Sequence, residues 1–374
     1  MAVKKKKASK HRLGRLLLAL VGILIVLGAV LVFLYRDKLS PQALAPPKKD
    51  AAVSETEAYT YENGSNQIFD LMGDKLLIAS GSGLQILDGN GVTIARDIFS
   101  MTNPAVCAGE KSAAFYDVGG SALRVFSDGK TTNLDSNQPI ISVSMNPAGY
   151  LALTTEETGY KGGVTVYNNK LQPVYKWLSG SGYTLDAAVS PDCKSLAVLC
   201  LDKNGSTIHF FNLDSEKEQA APTLPKELAF KLHYGDNGRL CVLSETALHF
   251  FNSNGEENPP FSFKGSYLSD FDLGDEFCTI ALSKLITGSE IQLNSFSCDG
   301  RALGTVSLKD KPISLSSNKQ KLLVFGALDA KLYTRELRPI SESEIVPGFK
   351  HALLRHDGNA LLLASSYCEK FVLK

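Results

Sequence analysis

The sequence predicts an all-β fold, a β-propeller of about eight four-stranded blades, preceded by one transmembrane helix at the N-terminus. A turn followed by an apolar strand recurs at intervals of 36 to 45 residues, which is the length of one four-stranded blade. From Tyr59 onward, the apolar runs are short and rich in β-branched and aromatic residues, as β-strands are. One much longer apolar segment stands alone near the start of the chain, where it predicts a membrane span.

The long apolar segment covers residues 16–34 and contains no charged side chain. As a helix rising about 1.5 Å per residue it would extend about 28 Å, a full crossing of the hydrocarbon core. A basic stretch, residues 1–15, precedes it, so the positive-inside rule places the N-terminus in the cytoplasm and the C-terminal domain outside the cell. A cleaved signal peptide, cut after residues 43–45, is the alternative, but the apolar run is long for one and Pro46 would follow the cut. We therefore expect a cell-membrane protein with the lipid bilayer around residues 16–34.

The remaining chain divides into a linker and one large domain. Residues 35–56 are rich in Pro, Ala, Lys and Glu and predict an extended tether, and residues 57–374 form the predicted ectodomain. Eight of the 39 basic residues lie within residues 1–36, which contain no acid, so 31 basic residues face 39 acidic ones in the rest. This acidic balance argues against a nucleic-acid partner.

The repeat is clearest at its turns, which are built from Gly, Asn, Asp and Pro and lead directly into apolar strands. They centre on Asp74, Glu110, Ala148, Asp192, Asn237, Asp275, Asn318 and Asp357. A second alternating strand follows each turn strand in most repeats and runs into hairpin sequences such as Asp88 to Gly91. Each repeat is thus predicted to be an antiparallel meander, which must pack on its neighbours because it cannot bury both faces alone.

Ring closure is predicted from the two ends of the domain. The last repeat, residues 349–374, has room for about three strands, and residues 58–62 form a strand with no partner in the first repeat. We expect this N-terminal strand to complete the last blade. Seven blades with an irregular end is the alternative.

Two repeats resemble those of known propellers. Both are similar to repeats of WD40-like and quinoprotein-like proteins, but they lack the Gly-His and Trp-Asp dipeptides of true WD40 repeats. The first is Val189 to Asp192 followed by Leu196 to Val198, and the second is Met145 to Gly149 followed by Leu151 to Leu153. With its N-terminal anchor, the whole chain resembles a family of single-pass propeller proteins of Gram-positive bacteria, a domain of unknown function. The resemblance implies a fold and a location and no activity.

The sequence contains no catalytic signature, and we assign no catalytic residue, no metal ligand and no cofactor. Asp70, Asp186 and Asp270 enter the predicted innermost strands, so each is either a solvated strand end or part of a ligand site at the mouth of the central channel. The turn at Asp88 resembles part of a calcium loop, but Phe99 stands where the loop needs its bidentate acid, and a hairpin is favoured.

Histidine and cysteine patterns favour structural roles. His209 and His249 occupy equivalent strand positions in neighbouring repeats, and Trp177 is expected to pack in an outer strand. The seven cysteines lack metal-ligand spacing; most read as small buried apolar residues, and Cys193 with Cys200 is the one plausible local disulfide. Whether any pair is bonded stays open.

These features favour a non-enzymatic interaction or scaffold module at the cell envelope, with a protein or cell-wall partner bound by the propeller loops. The alternative is a quinoprotein-like enzyme, or a receptor for a small ligand or carbohydrate, that uses the central channel. A scaffold for secretion or envelope assembly is a third possibility.

Overall fold

The protein is a ring of eight antiparallel sheets in the computed structural model, which describes residues 58–288 and 290–373. The described residues form 33 β-strands and no helix long and apolar enough to span a bilayer. The predicted basic tail, transmembrane helix and linker (1–15, 16–34 and 35–56) lie outside the described residues. The all-β prediction with eight four-stranded blades is confirmed, and the seven-blade alternative is wrong.

Blades 1 to 4 each use four consecutive strands, except that the fourth strand of blade 4 is split in two around Ala221 and Pro222. Their strands, after β1 (Ala58–Thr60), are β2 (Ile68–Met72), β3 (Lys75–Ser80), β4 (Gly83–Leu87) and β5 (Thr93–Ile98); β6 (Pro104–Ala108), β7 (Ser112–Asp117), β8 (Leu123–Ser127) and β9 (Lys130–Asn133); β10 (Ile140–Met145), β11 (Leu151–Thr155), β12 (Gly163–Tyr167) and β13 (Pro173–Leu178); and β14 (Tyr183–Val189), β15 (Ser195–Asp202), β16 (Gly205–Asn212), β17 (Glu218–Ala220) and β18 (Thr223–Pro225).

Blades 5 to 7 repeat the same meander, and blade 8 takes its fourth strand from the start of the domain. Their strands are β19 (Ala229–Tyr234), β20 (Leu240–Ser244), β21 (Ala247–Phe251) and β22 (Glu257–Ser262); β23 (Tyr267–Leu273), β24 (Phe277–Ser283), β25 (Ile291–Ser297) and β26 (Ala302–Leu308); β27 (Ser314–Ser317), β28 (Lys321–Phe325), β29 (Asp329–Thr334) and β30 (Pro339–Glu344); and β31 (His351–Leu354), β32 (Ala360–Leu363) and β33 (Tyr367–Phe371).

Burial within a blade follows the position of the strand. Second strands such as β7 and β11 are buried along their whole length, because a neighbouring blade covers each of their two faces. Fourth strands such as β5 and β30 alternate between exposed and partly buried residues, as expected for the outer rim. This explains why the turn strands read as continuous apolar runs in the sequence.

Among the described residues, the core consists of eight apolar clusters, one at each interface between neighbouring blades. Leu77 and Phe115, for example, join blade 1 to blade 2, and Leu322 packs with Phe277 between blades 6 and 7. The cluster that closes the ring contains Tyr59 and Leu361 from blade 8 and Leu76 from blade 1. Each blade therefore depends on two neighbours for the burial of its faces.

The N-terminal strand closes the ring. Strand β1 pairs antiparallel with β33, with Tyr59 opposite Cys368. The Tyr59 hydroxyl donates a hydrogen bond across the interface to the carbonyl of Gly89 in blade 1, at 2.8 Å. The strand predicted over 58–62 is observed over 58–60, as the outermost strand of blade 8, and it also contacts blade 1.

The antiparallel connectivity gives the ring two different faces. The turn face is the side that carries the connections from first to second strand and from third to fourth strand. The loop face is the opposite side, which carries the connections from second to third strand and the links between blades. All eight recurrent turns of the sequence lie on the turn face, between β2 and β3 at Gly73 and at the equivalent places up to Asp357 between β31 and β32. The predicted hairpin at Asp88 is also on this face; its carboxylate accepts hydrogen bonds from the amides of Asn90 and Val92, both at 2.9 Å.

Candidate functional site

The first strands of the blades surround a central channel, which widens at its turn-face end into a cavity of about 710 Å³. Residues from all eight blades line this cavity, and many of them are polar or charged. The charged and imidazole side chains of the lining are Asp70, Glu110, Lys231, His233, Asp236, Asp275, Lys319 and His356. The volume lies in the range of pockets that hold small molecules.

Asp70 is the sequence-predicted residue that lines this cavity. It lies in β2, two residues before Met72, which starts the turn, and one of its carboxylate oxygens accepts a hydrogen bond from the amide of Leu71 at 2.8 Å. Burial raises the pKa of the Asp70 carboxyl to about 6, and the nearby Asp272 carboxyl adds to this effect. Asp70 can therefore exchange a proton near neutral pH.

Asp186 is placed between blades and is almost fully buried, with 2% of its surface exposed. Its carboxylate accepts a hydrogen bond from the amide of Leu232 in blade 5 at 3.0 Å and lies 3.3 Å from the Lys231 ammonium. A β-bulge between Thr184 and Asp186 orients the Asp186 side chain toward blade 5. Asp186 thus joins blade 4 to blade 5, and its ion-pair partner Lys231 belongs to the cavity lining.

Asp270 has the same role in blade 6 that Asp186 has in blade 4. It also follows a bulge and lies four residues before the start of its turn, as Asp186 does. Its carboxylate accepts hydrogen bonds from the amides of Phe271 (2.9 Å) and Leu315 in blade 7, while burial raises its pKa to about 6. Ser314, at the equivalent position of blade 7, accepts a hydrogen bond from the amide of Ala352 in blade 8 at 3.1 Å. Of the three predicted aspartates, Asp70 lines the cavity, whereas Asp186 and Asp270 lie at contacts between blades.

Lys231 and His233 are lining residues that were not predicted from the sequence. Both lie in β19, and the Lys231 side chain remains 41% exposed beside the buried Asp186, whose charge raises the pKa of the lysine. The Nε2 atom of His233 lies 3.5 Å from the Asp275 carboxylate. In the sequence, Lys231 and His233 alternate with the apolar residues Phe230 and Leu232. This alternation could have identified them as channel-facing residues, because first strands border the channel.

The cavity lining offers a thiol that is poorly suited to nucleophilic chemistry. Cys107 in β6 lies at the position equivalent to Asp70 and borders the cavity. Burial raises the pKa of the Cys107 thiol to about 12, so it stays protonated at neutral pH. Cys107 is thus not a ready nucleophile in this cavity.

The histidines of the third strands have structural partners. His209 in β16 lies 2.5 Å from Glu218, and His249 in β21 lies 2.6 Å from Glu257, in each case a carboxylate on the neighbouring outer strand. Trp177, in the outer strand β13, packs against the His209 ring with 5.2 Å between ring centres. These contacts agree with the structural roles predicted for the two histidines and the tryptophan.

The seven cysteines form no disulfide. Cys193, which has a left-handed backbone (φ 61°), contacts the Asn146 amide, and Cys200 is buried in β15, so the suggested local disulfide is not formed. The structure instead brings together Cys241, Cys278 and Cys298. This group was not predicted from the sequence because its members lie in three separate strands or turns.

The loop face carries a second candidate site, which is apolar. Of the 19 large apolar side chains that are exposed among the described residues, 13 lie on this face and two on the turn face. The 13, which lie outside the strands or at a strand terminus, are Ile68, Ile98, Val118, Tyr160, Tyr183, Leu228, Tyr267, Leu285, Ile286, Ile313, Leu328, Val346 and Tyr367. Exposed apolar surface concentrated on one side of a domain is typical of a binding surface. In the sequence, this surface was marked by single apolar residues within otherwise polar links between blades.

Similar folds occur among solved structures. The chain is similar to the C-terminal WD40 domain of Sif2 (TM-score 0.59, 13% identity, 85% of this chain and 99% of that one) and to a eukaryotic initiation factor (0.54, 14%, 86% and 85%). It is also similar to apo AztD from Citrobacter koseri (0.50, 12%, 76% and 86%). At these identities the likeness concerns the fold alone. No curated protein matches the sequence.

The eight-bladed ring and its repeats agree with the resemblance to WD40-like and quinoprotein-like propellers. Residues 48–334, most of the sequence, match the pattern of DUF5711, a family of unknown function, and the chain belongs to that family.

Proposed function

We propose that the protein is a membrane-anchored propeller outside the cytoplasm whose loop face binds another protein of the cell envelope. The observation that carries this proposal is the uneven distribution of exposed apolar side chains, 13 on the loop face against two on the turn face. Burial of such side chains against a partner is favourable by about 25 cal/mol per Å² of apolar surface. A rigid ring would lose little conformational entropy on binding.

The described chain enters the ring from the turn-face side. Strand β1 starts at Ala58, opposite Glu369 in the middle of β33, and runs antiparallel to β33 toward the loop face. The incoming end of the propeller is therefore not on the loop face.

Site-specific photo-crosslinking in cells that express the full chain tests the proposal. A photoreactive residue at Leu328 or Val346, both on the loop face, should give adducts of defined mass with one partner. The matched position is Val92, an exposed valine on the turn face (59% exposed, against 64% for Leu328), and it should give none. Equal adducts at Val92 and Leu328, or none at any loop-face position, would contradict the proposed function.

The location is tested separately. Alkaline phosphatase fused to Lys374 of the full chain should be active, and the fusion should stay with the membrane after a high-salt wash, because the proposed helix over 16–34 would export the domain. An inactive fusion in the soluble fraction would contradict the anchored location while leaving partner binding testable.

A second function, binding of a small polar ligand in the channel, is favoured by the 710 Å³ cavity and by its mixed charges. Sugars and quinones can be compared by their effect on the thermal unfolding of the full chain. A ligand of this site should stabilise the wild type more than Asp70→Asn, because Asp70 lines the cavity and does not contribute to the joints formed by Asp186 and Asp270. Stabilisation that is equal in both would place the ligand elsewhere.

A further inference from the structure

Three thiols from two blades meet inside the wall of the propeller. Cys241 lies in β20 of blade 5, Cys278 in β24 of blade 6, and Cys298 in the turn that follows β25. Their Sγ atoms all lie within 4.8 Å of one another, and those of Cys241 and Cys278 are 3.4 Å apart. The group belongs to the apolar cluster between blades 5 and 6.

The surroundings hold the three side chains in place. Cys241 and Cys278 are fully buried and Cys298 is 1% exposed. Gly235 has no side chain in the space that Cys298 occupies: a Cβ there would lie 2.5 Å from the Cys298 sulfur. The Cys298 sulfur also lies 3.3 Å from the carbonyl oxygen of Asp275 on the turn face. Flexing of this one hairpin turn would give a small ion access to the group.

The spacing of the sulfurs fits a shared ion better than a disulfide. A disulfide requires about 2.0 Å between two sulfurs and leaves the third thiol unused. Three thiolates at about 2.3 Å from one ion lie about 4 Å from one another. The separations in the group are of that order, so little movement is needed to coordinate an ion. Thiolates select soft cations, above all Zn(II) and Cu(I).

A nitrogen ligand is close to this group. His233 and Cys241 are directly opposite in the register of β19 and β20, so their side chains share one face of blade 5. The Nε2 atom of His233 is buried and lies 3.5 Å from the Asp275 carboxylate. His233 is outside the group whose ligand atoms all lie within 4.8 Å of one another, so its side chain would have to turn from Asp275 toward the sulfurs to complete the four-ligand set typical of structural zinc sites.

We propose that Cys241, Cys278 and Cys298 bind one soft metal cation, Zn(II) or Cu(I), which joins blade 5 to blade 6. The ion displaces thiol protons, which pass to solvent. Because the site lies inside the wall and away from the loop face, it is independent of the partner proposed above.

The site is tested directly by titration with Cd(II). The full chain is first purified without metal under anaerobic reducing conditions. We expect one equivalent to bind, with an ultraviolet thiolate-to-cadmium charge-transfer band, and the unfolding midpoint to rise by about 4 °C at saturation. Cu(I) should displace Cd(II), and Cd(II) should displace Zn(II) bound beforehand, because thiolates prefer the softer cation. Substitution His233→Gln should weaken Zn(II) binding at least about tenfold and Cu(I) binding less, because Cu(I) is satisfied by three thiolates.

Variants of single cysteines locate the site. Cys278→Ser, Cys298→Ser and Cys298→Ala should lose the band and the thermal shift, while Cys107→Ser and Cys193→Ser should keep both. The metal-free midpoint of each variant shows whether it folds, and Cys298→Ala, at a turn, is the least disruptive change.

Three results would overturn the proposal. The first is no stoichiometric binding by the wild type, and the second is unchanged binding by a folded Cys298 variant. The third is a Cys241–Cys278 disulfide, detected by mass spectrometry, in the chain as isolated from cells.

Discussion

At the residue scale, the Asp70 carboxyl is a source of pH dependence. Its pKa of about 6 in the folded protein is above the usual value near 4, so the folded state binds the proton more tightly than the unfolded chain does. The stabilisation that this proton gives is complete below about pH 4 and is lost as the pH rises through 6. Asp70→Asn should therefore stabilise the protein by about 1–2 kcal/mol at pH 8, and the gain should vanish toward pH 4.

Urea unfolding of both proteins at a series of pH values measures this difference. The exposed Asp74, whose side chain is 61% accessible, provides the matched control, and Asp74→Asn should change stability by less than about 0.5 kcal/mol at every pH. A destabilised Asp70→Asn at pH 8 would mean that the negative charge is needed there.

The second residue-scale prediction concerns the contact between blades 4 and 5. Asp186→Ala should destabilise the protein by about 3 kcal/mol, because the Leu232 amide and the Lys231 ammonium lose their partner. Asp186→Asn should cost less, since an amide oxygen can still accept the hydrogen bond of Leu232. Equal losses for the two variants in urea unfolding would indicate that the charge, and not the hydrogen bond, holds the blades together.

At the scale of the element, β1 acts as the clasp of the ring. Tyr59 is 5% exposed and packs between blades 8 and 1, where Gly91 leaves space for its ring. Tyr59→Ala should cost about 3–5 kcal/mol, the usual cost of removing a large buried aromatic side chain. Thermal unfolding measures this loss, and Tyr183→Ala, with a 59% exposed side chain, should leave the midpoint within about 2 °C of the wild type. A small loss at Tyr59 would show that blades 8 and 1 hold together without the clasp.

Elements of the fold were predictable because their chemistry is local. The turn at Asp88 forms from its own side chain and the next few amides, and the positions of the eight repeat turns follow from Gly, Asn and Pro at similar spacings. The contact between Asp186 and Leu232 joins residues 46 positions apart and depends on a bulge that no sequence pattern marks. Asp70 and Asp186 therefore looked alike in the sequence. In the structure, Asp186 lies two positions farther from the turn that follows its strand than Asp70 does.

The same limit applies to the cysteines. Cys241 and Cys278 each sit in an apolar run, where a thiol is indistinguishable from a small apolar residue. Their proximity arises from the packing of blade 5 on blade 6, which is a property of the ring. Local patterns thus predict strands and turns, whereas sites built between blades need the three-dimensional structure.

At the scale of the whole molecule, the two faces should separate stability from binding. A triple variant of the loop face, Leu228→Ser, Leu328→Ser and Val346→Ser, removes exposed side chains, so its unfolding midpoint should stay within about 3 °C of the wild type. The crosslinked adduct at a retained loop-face position, Tyr183, should nevertheless fall at least about tenfold, because the removed apolar surface would contribute several kcal/mol of binding. The matched triple variant, Val92→Ser, Ile340→Ser and Val372→Ser, alters similarly exposed residues on the turn face and the rim and should keep the adduct. Equal loss in both variants would assign binding to the general apolar character of the surface, and retention in both would leave the channel as the stronger candidate for function.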